Sequence, residues 1–503
     1  QAAAKAGISQ TVTDLGGQVT GLGYNDTVMQ GWLPIDQLEA IAANPDVLMV
    51  RRPLPAFPLE ALRVGNSTTE GLGVINGTAW HTAGYSGAGV KVGILDLGFV
   101  GYEGLLGTDL PAAVTAKNFV DGETDEQLAS TTEHGTACAE VIYDVAPEAA
   151  IYLAKVGTDV DIVEAVAWLM SQQVDIISSS IGLYNASPGD GSGFLASLVS
   201  QARAAGILWV TAAGNDRESH WGGVYNNADA DNFHEFADGD DVNCFTLALF
   251  GLPGCAPFFF GQVNIFVRWS DWAAVDQDFD LHLVKFDGTA WQTVASSTDS
   301  QNGSPGQTPT EWVSADVFDF APYGLRIERK SGDQPVNFEL FAPGLISFGF
   351  GLREKLQARS LANLADSADA VTVAALNVTA PHAQEFYSSE GPTNGPGGSD
   401  TGGFNKPDLA AFANVSTQSY GPGVFNGTSS ATPHVAGAAT LVLSAYPNFT
   451  PDQLESFLTE RAVDMGAAGV DTQFGFGRLF LGEPPAPSTV LLSVQLYLPL
   501  VQK

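Results

Sequence analysis

Basic residues are scarce in this chain of 503 residues: 21 Lys and Arg stand against 56 Asp and Glu, a formal net charge of −35. Such a field repels phosphate backbones and anionic lipid, so nucleic acid and acidic membrane surfaces drop out of the expected partners. Cysteine is scarcer still, limited to Cys138, Cys244 and Cys255. Three thiols cannot build a disulfide framework. At most one bridge forms, with Cys244 and Cys255 the local candidate and Cys138 left over as a buried apolar residue. Long apolar runs are also missing. No stretch reaches the ~18 residues that cross a bilayer, and the tail from Val490 to Val501 is both shorter and interrupted by Gln495. The first ten residues have neither the basic start nor the apolar middle of a signal peptide, so the expectation is a leader already removed or never present.

Small and apolar residues are plentiful. Hydrophobic side chains make up 45% of the chain and glycine occurs 56 times. That excludes global disorder, and at ~150 residues per domain the length asks for more than one packed unit. Residues 1–62 read as a small α+β unit: a strand-like stretch, a helix signal at Pro34-Ile35-Asp36-Gln37-Leu38-Glu39, then an apolar strand Val47-Leu48-Met49-Val50. The run Arg51-Arg52-Pro53-Leu54-Pro55-Ala56-Phe57-Pro58 closes it as a linker, because its prolines forbid a regular helix or a central strand. Over 63–216 short apolar strands (90–95, 174–177, 207–211) alternate with helical stretches (162–170, 198–205), the pattern of a parallel sheet covered on both faces. Over 217–350 the helical pattern vanishes, and the runs 263–269, 279–286 and 336–341 alternate in polarity as the strands of a β-sandwich do. The α/β pattern resumes over 351–482, and 483–503 is a tail opened by a Pro-rich piece. The expected architecture is an α/β three-layer domain with a parallel sheet, interrupted by an all-β sandwich and preceded by the small α+β unit.

Three places in the α/β part carry chemistry. Ile94-Leu95-Asp96 sets a carboxylate at the end of a buried strand, where sites of open α/β sheets lie. Glu133-His134-Gly135-Thr136 puts an imidazole at a helix start. Gly427-Thr428-Ser429-Ser430-Ala431-Thr432-Pro433-His434 puts a serine on a glycine turn at another helix N-terminus, where hydroxyl, backbone N–H and helix dipole act together. Taken singly, these read as a turn aspartate, a structural histidine and a helix cap. Jointly, the chain order Asp, His, Ser is one of the known orders of a nucleophilic triad, in which serine needs a base and the base needs an orienting carboxylate.

With these blocks on the page, the chain resembles the subtilisin-like serine peptidases, the subtilases, across residues 70–216 and 360–482. The likeness rests on Val92-Gly93-Ile94-Leu95-Asp96-Leu97-Gly98, His134-Gly135-Thr136, Val145-Ala146-Pro147-Glu148-Ala149, Ser180-Ile181-Gly182, Ala212-Ala213-Gly214-Asn215, Lys406-Pro407-Asp408-Leu409 and the Gly427-to-Gly437 block. The resemblance implies Ser429 as nucleophile, His134 as general base and acid, and Asp96 as the residue orienting His134. It implies Asn215 and the Ser429 N–H as oxyanion donors. Ser180, Ile181 and Gly182 would pair with the substrate backbone, with Ala213 and Gly214 also at the substrate. The implied activity is that of a secreted serine endopeptidase acting on proteins and peptides through an acyl-enzyme, with no cofactor required.

Two departures stand out. Leu97 follows Asp96 where the family usually has a small hydroxyl residue. Nine residues separate Val141 from Ile151, too few for the calcium loop many subtilases hold there, so calcium is possible but no metal site is inferred. Residues 1–62 resemble the later part of a subtilase propeptide, which implies an intramolecular inhibitor released by a cut between Phe57 and Gly71. Asp278-Phe279-Asp280-Leu281 resembles the jelly-roll modules attached to secreted peptidases, its twin aspartates reading as turn and solvent-face residues. Two other readings remain: an inactive subtilase-fold binding protein, and an acid-active serine-carboxyl peptidase whose base would be a glutamate such as Glu133.

Overall fold

Side chains of successive strand residues point to opposite faces, so a strand buried on both sides must be apolar throughout. Lys91–Asp96 is such a strand. In the computed structural model, which describes residues 2–23, 28–47, 49–51, 56–58, 68–247, 254–258 and 261–486, it lies inside a seven-stranded sheet. The order is Leu409–Ala413, Ala370–Asn377, Leu208–Ala212, Ile176–Ser179, Lys91–Asp96, Ala150–Lys155 and Thr115–Asn118, every pairing parallel. Ile94, Ile176, Leu208 and Val210 share a core with helices His134–Val145 and Thr428–Ala445. Leu95, Ile177 and Trp209, each one residue out of phase, share the opposite core with helices Asp159–Ser171 and Gly193–Ala204. The three expected layers are present.

Beyond Asn215 the chain leaves this domain and builds two antiparallel sheets. One runs in the order His220–Val224, Asn337–Phe341, Gln262–Trp269, Thr310–Asp316. The other runs Trp291–Ser297, Asp278–Phe286, Ala321–Ser331, Asn243–Thr246, Gly351–Leu352, with Pro257–Phe258 also on Ala321–Ser331. Ile265, Val267, Leu281, Leu283, Phe338 and Leu340, alternate positions on their strands, are buried together between the sheets with Trp269 and Phe279. Because Gly351–Leu352 pairs with Phe245 and Thr246, the module extends past the expected boundary at residue 350. A disulfide joins Cys244 to Cys255 (S–S 2.01 Å), and Cys138 is a buried thiol.

The N-terminal unit departs from the expected strand–helix–strand order. It opens with an Ala-rich helix, Ala2–Asp14, followed by the hairpin Gln18–Gly23/Val28–Trp32 and the short helix Leu38–Ala42. Val47, Met49 and Val50 belong to no strand, and Leu48 lies outside the described residues. Met49 and Val50 are solvent-exposed, without a sheet edge to pair with. The hairpin rests on helix Asp159–Ser171. Further on, Ala56 is buried, its N–H donating to the carbonyl of Gly157 at 3.0 Å. Phe57–Pro58 then pairs antiparallel with Ile181–Gly182, Phe57 opposite Gly182 and Pro58 opposite Ile181. Most of the window between Phe57 and Gly71 lies outside the described residues, as does the tail from residue 487. Among the described residues no helix is long and apolar enough to cross a membrane.

Candidate active site

Asp96 closes the central strand at its carboxyl end and is fully buried. Both carboxylate oxygens face His134 Nδ1, at 2.9 and 2.8 Å, and Oδ1 also accepts the Leu97 N–H at 2.8 Å. Leu97 therefore serves Asp96 through its backbone, while its side chain packs against the Leu95 core. His134 is the first residue of its helix. The strand and helix approach so closely that a Cβ on Gly135 would meet Asp96 Cβ at 2.7 Å and Phe99 at 2.5 Å, so glycine is required there. With Nδ1 directed at a carboxylate, the imidazole ring is held in one orientation.

Ser429 is the second residue of the helix that follows Gly427 (φ 84°). Its Oγ donates to the Ser180 carbonyl at 3.1 Å, and the Ser180 Oγ donates back to the Ser429 carbonyl at 3.1 Å. That carbonyl is accessible to a side-chain donor for a reason visible in the sequence. Pro433, four residues on, has no N–H to give it, so the normal helical bond is missing and Ser180 supplies one instead. Cys138, one turn beyond His134, also reaches the Ser429 carbonyl, at 3.7 Å. The His134 ring meets Phe425 edge-on, centroids 5.8 Å apart. The base and the serine are thus carried by two packed helices on one face of the sheet.

Asn215 completes the constellation. Its Oδ1 accepts both the Thr428 N–H and the Thr428 hydroxyl, each at 3.0 Å. A backbone N–H can only donate, so the amide atom facing it is the oxygen, and the Nδ2 donors point the other way. The N–H of Ser429 lies in the first helical turn, where backbone donors lack intrahelical acceptors.

The expected substrate residues divide into two groups. Ser180, Ile181 and Gly182 lie beside Ser429, and Ile181–Gly182 offers an edge that Phe57–Pro58 occupies. The backbones of Ala213 and Gly214 are instead taken up by the scaffold. Ala213 donates to Val373 and accepts from Ala362, while Gly214 accepts from Ser389 and donates to Thr428 Oγ1. Sequence reasoning missed Tyr184 and Asp216, whose side chains meet at 2.7 Å (Tyr184 OH to Asp216 Oδ2). Burial pushes the Asp216 carboxyl up to about 6 against the pull of that bond. The available signal was adjacency, since one follows Gly182 by two residues and the other follows Asn215. Among the described residues two groups of side chains lie close enough to share a cation. One is Asp96, His134 and Cys138, which belongs to this site. The other is Asp280, His282 and Glu328 on the sandwich, where Lys330 already sits 3.1 Å from Glu328 and 3.5 Å from Asp280.

The fold is a three-layer α/β domain on a parallel sheet, with Asp96 bonded to His134 and the helix of Ser429 packed against the helix of His134. The subtilase family model matches residues 87–242 and 293–477, and the chain belongs to that family. It is similar to subtilisin DY of Bacillus licheniformis, 35% identical over 162 residues, 30% of this chain and 56% of that protein. It is also similar to subtilisin E of Bacillus subtilis (strain 168), 32% identical over 168 residues, 30% of this chain and 41% of that protein. An extracellular serine protease of Serratia marcescens is 36% identical over 112 residues, 21% of this chain and 9% of its own length. The chain thus spans about half the length of the subtilisins it matches. Among solved structures, the CspB protease of Clostridium perfringens is similar over 81% of this chain and 96% of that one, with a TM-score of 0.54 and 15% identity, which is a likeness of fold.

Proposed function

We propose that this chain is a secreted serine endopeptidase that cleaves proteins and peptides through an acyl-enzyme on Ser429. One observation carries the reading: His134, bonded to Asp96, lies on a helix packed against the helix of Ser429, and Asn215 clamps Thr428, the residue before Ser429. In the proposed reaction His134 takes the Ser429 proton as Oγ attacks the scissile carbonyl, and Asp96 holds the ring and steadies the imidazolium. Asn215 Nδ2 and the Ser429 N–H receive the oxyanion. His134 then protonates the leaving amine, and water repeats the sequence to release the acid. Nucleophile, base and oxyanion donors all come from the chain, so the proposed chemistry requires no metal or organic cofactor. The bond from His134 to Asp96 favours this reading over a serine-carboxyl peptidase based on Glu133.

The pairing of Phe57–Pro58 with Ile181–Gly182 supports an N-terminal segment that acts as the enzyme's own inhibitor, laid along the substrate edge. Secretion is supported by the disulfide, a bond of oxidising compartments, and by the acidic surface. The test is covalent labelling with a fluorophosphonate, which reacts only with an activated serine, followed by peptide hydrolysis. Wild type should label and turn over, and Ser429→Ala should do neither. A wild-type chain that resists the label and leaves peptides intact overturns the proposal in favour of a binding protein.

A further inference from the structure

The sandwich is wedged into the site. Tyr184, two residues past the substrate edge, is buried, and its ring lies between two module residues: Phe266 (centroids 5.2 Å, 25° between planes) and Phe341 (5.2 Å, 46°). Phe266 stacks onward against Trp312 at 5.4 Å. Asn185 next door donates to the module's Glu311 carbonyl at 3.0 Å, and the buried Arg268 of the module donates to the Ser187 carbonyl at 3.2 Å. The Tyr184 hydroxyl reaches across to Asp216, whose other oxygen accepts the Ser219 hydroxyl at 3.3 Å and whose N–H donates to Ser389 Oγ at 3.0 Å. Behind this bond the chain returning from the module ties the same two walls: Asn363 N–H donates to Leu183, and Ala362 N–H donates to Ala213.

We propose that the Tyr184–Asp216 bond is a positioning crossbar between the substrate strand and the oxyanion amide, and that the module holds it in place through Phe266 and Phe341. The inference rests on the serine-peptidase reading and deepens it. Neither residue touches the reacting atoms. Asp216 is covalently next to Asn215, so its side-chain anchor limits where the Asn215 backbone can sit, and Thr428 then orients the amide. Tyr184 sets the exit of the strand Ile181–Gly182, and the residue before that strand, Ser180, accepts from Ser429 Oγ. A module that clamps the crossbar is a wall of the site, and removing it would disassemble the walls rather than merely widen access.

The test uses the full-length chain, a chromogenic peptide substrate, and fluorophosphonate titration to count active sites, with Tm recorded for each variant. Tyr184→Phe removes one oxygen and keeps the ring. Displacing a reacting group by around an ångström costs up to about 100-fold, so kcat per titrated site should fall by about 10- to 100-fold with KM within about twofold. Phe341→Ala, on the module, should act in the same direction. Asp216→Ala should match Tyr184→Phe, and the two together should be little worse than either, since they break one interaction. Asp216→Asn keeps an acceptor for the tyrosine and should recover most of the loss. Wild-type kcat per titrated site in Tyr184→Phe, whatever its Tm, assigns these residues to stability alone and overturns the inference. A wild-type chain that neither labels nor turns over overturns the serine-peptidase reading and this one with it.

Discussion

Replacing Asn215 separates two jobs that one amide performs. Its Oδ1 accepts two bonds from Thr428, which is fully buried, and its Nδ2 faces the opposite way. Asn215→Ala removes both. Loss of one oxyanion donor costs roughly 10²- to 10³-fold in kcat, equivalent to about 3–4 kcal/mol of transition-state stabilisation. The Thr428 N–H and hydroxyl, left buried without an acceptor, cost about 1–3 kcal/mol of folding stability on top. Asn215→Ala should therefore be slow and should also melt earlier. Asn215→Asp keeps the acceptor and loses the donor. It should melt closer to wild type, yet its kcat should fall at least as far as that of the alanine variant, because a carboxylate now opposes the developing negative charge. Steady-state kinetics with active-site titration, run beside calorimetry, reads both quantities. An Asn215→Ala enzyme with raised KM and intact kcat would refute the oxyanion assignment. Equal loss of Tm in both variants would refute the Thr428 clamp.

Self-processing is expected between Phe57 and Gly71, next to the described pairing of Phe57–Pro58 with Ile181–Gly182. N-terminal sequencing of active enzyme should start within that window, and a start still at Gln1 removes the propeptide assignment. Stability should fall as pH rises from about 6.5 to about 8, the upper part of a range that opens near the unfolded carboxyl value of about 4, because burial lifts Glu140 and Asp144 to about 7 and Glu311 to about 8. A carboxyl raised in this way keeps its proton in the folded state after the unfolded chain has lost it, so its contribution to stability drains away as pH climbs to the folded value. His234 and His434, held down to about 4 by burial, oppose this trend weakly below about pH 7.5 and are neutral in both states above it. Glu311→Gln should flatten the slope of Tm against pH, whereas a Tm that rises across the window contradicts the reasoning. Cys244→Ser should cost about 3 kcal/mol or less, the loop-closure entropy of a short loop, read as a lower urea midpoint with unchanged active-site labelling.

The sheet was legible because its strands are buried on both faces and read as unbroken apolar runs such as Val92 to Leu95, separated by helical stretches. The candidate residues Asp96, His134 and Ser429 stood out because each sits where a strand ends or a helix starts, near glycines the close packing demands, as at Gly135. The sandwich showed itself through strict alternation at Ile265 and Val267. Where reading failed, the determinant was distant in sequence. Val47 to Val50 looks like a strand locally, but a strand exists only with a partner edge, and among the described residues none pairs with Val47, Met49 or Val50. The helix Ala2–Asp14 was hidden by Gly7 and the β-branched Thr11, Val12 and Thr13, which lower helix propensity without preventing the fold. Tyr184 offered no local sign of its hydroxyl's partner, because that partner depends on where the module packs.

The pairing of Phe57–Pro58 with Ile181–Gly182 has a kinetic consequence. The segment before it is also fastened by the hairpin on helix Asp159–Ser171 and by Trp32 Nε1 donating to Asp121 at 3.2 Å. Two attachments on one chain raise each other's local concentration, so on the proposed inhibitor reading a cut near the bridge would not free the cleft. The severed piece would rebind faster than it diffuses away until a second enzyme molecule digests it. Activity should therefore appear after a lag that shortens as enzyme concentration rises, and a trace of already active enzyme should abolish the lag.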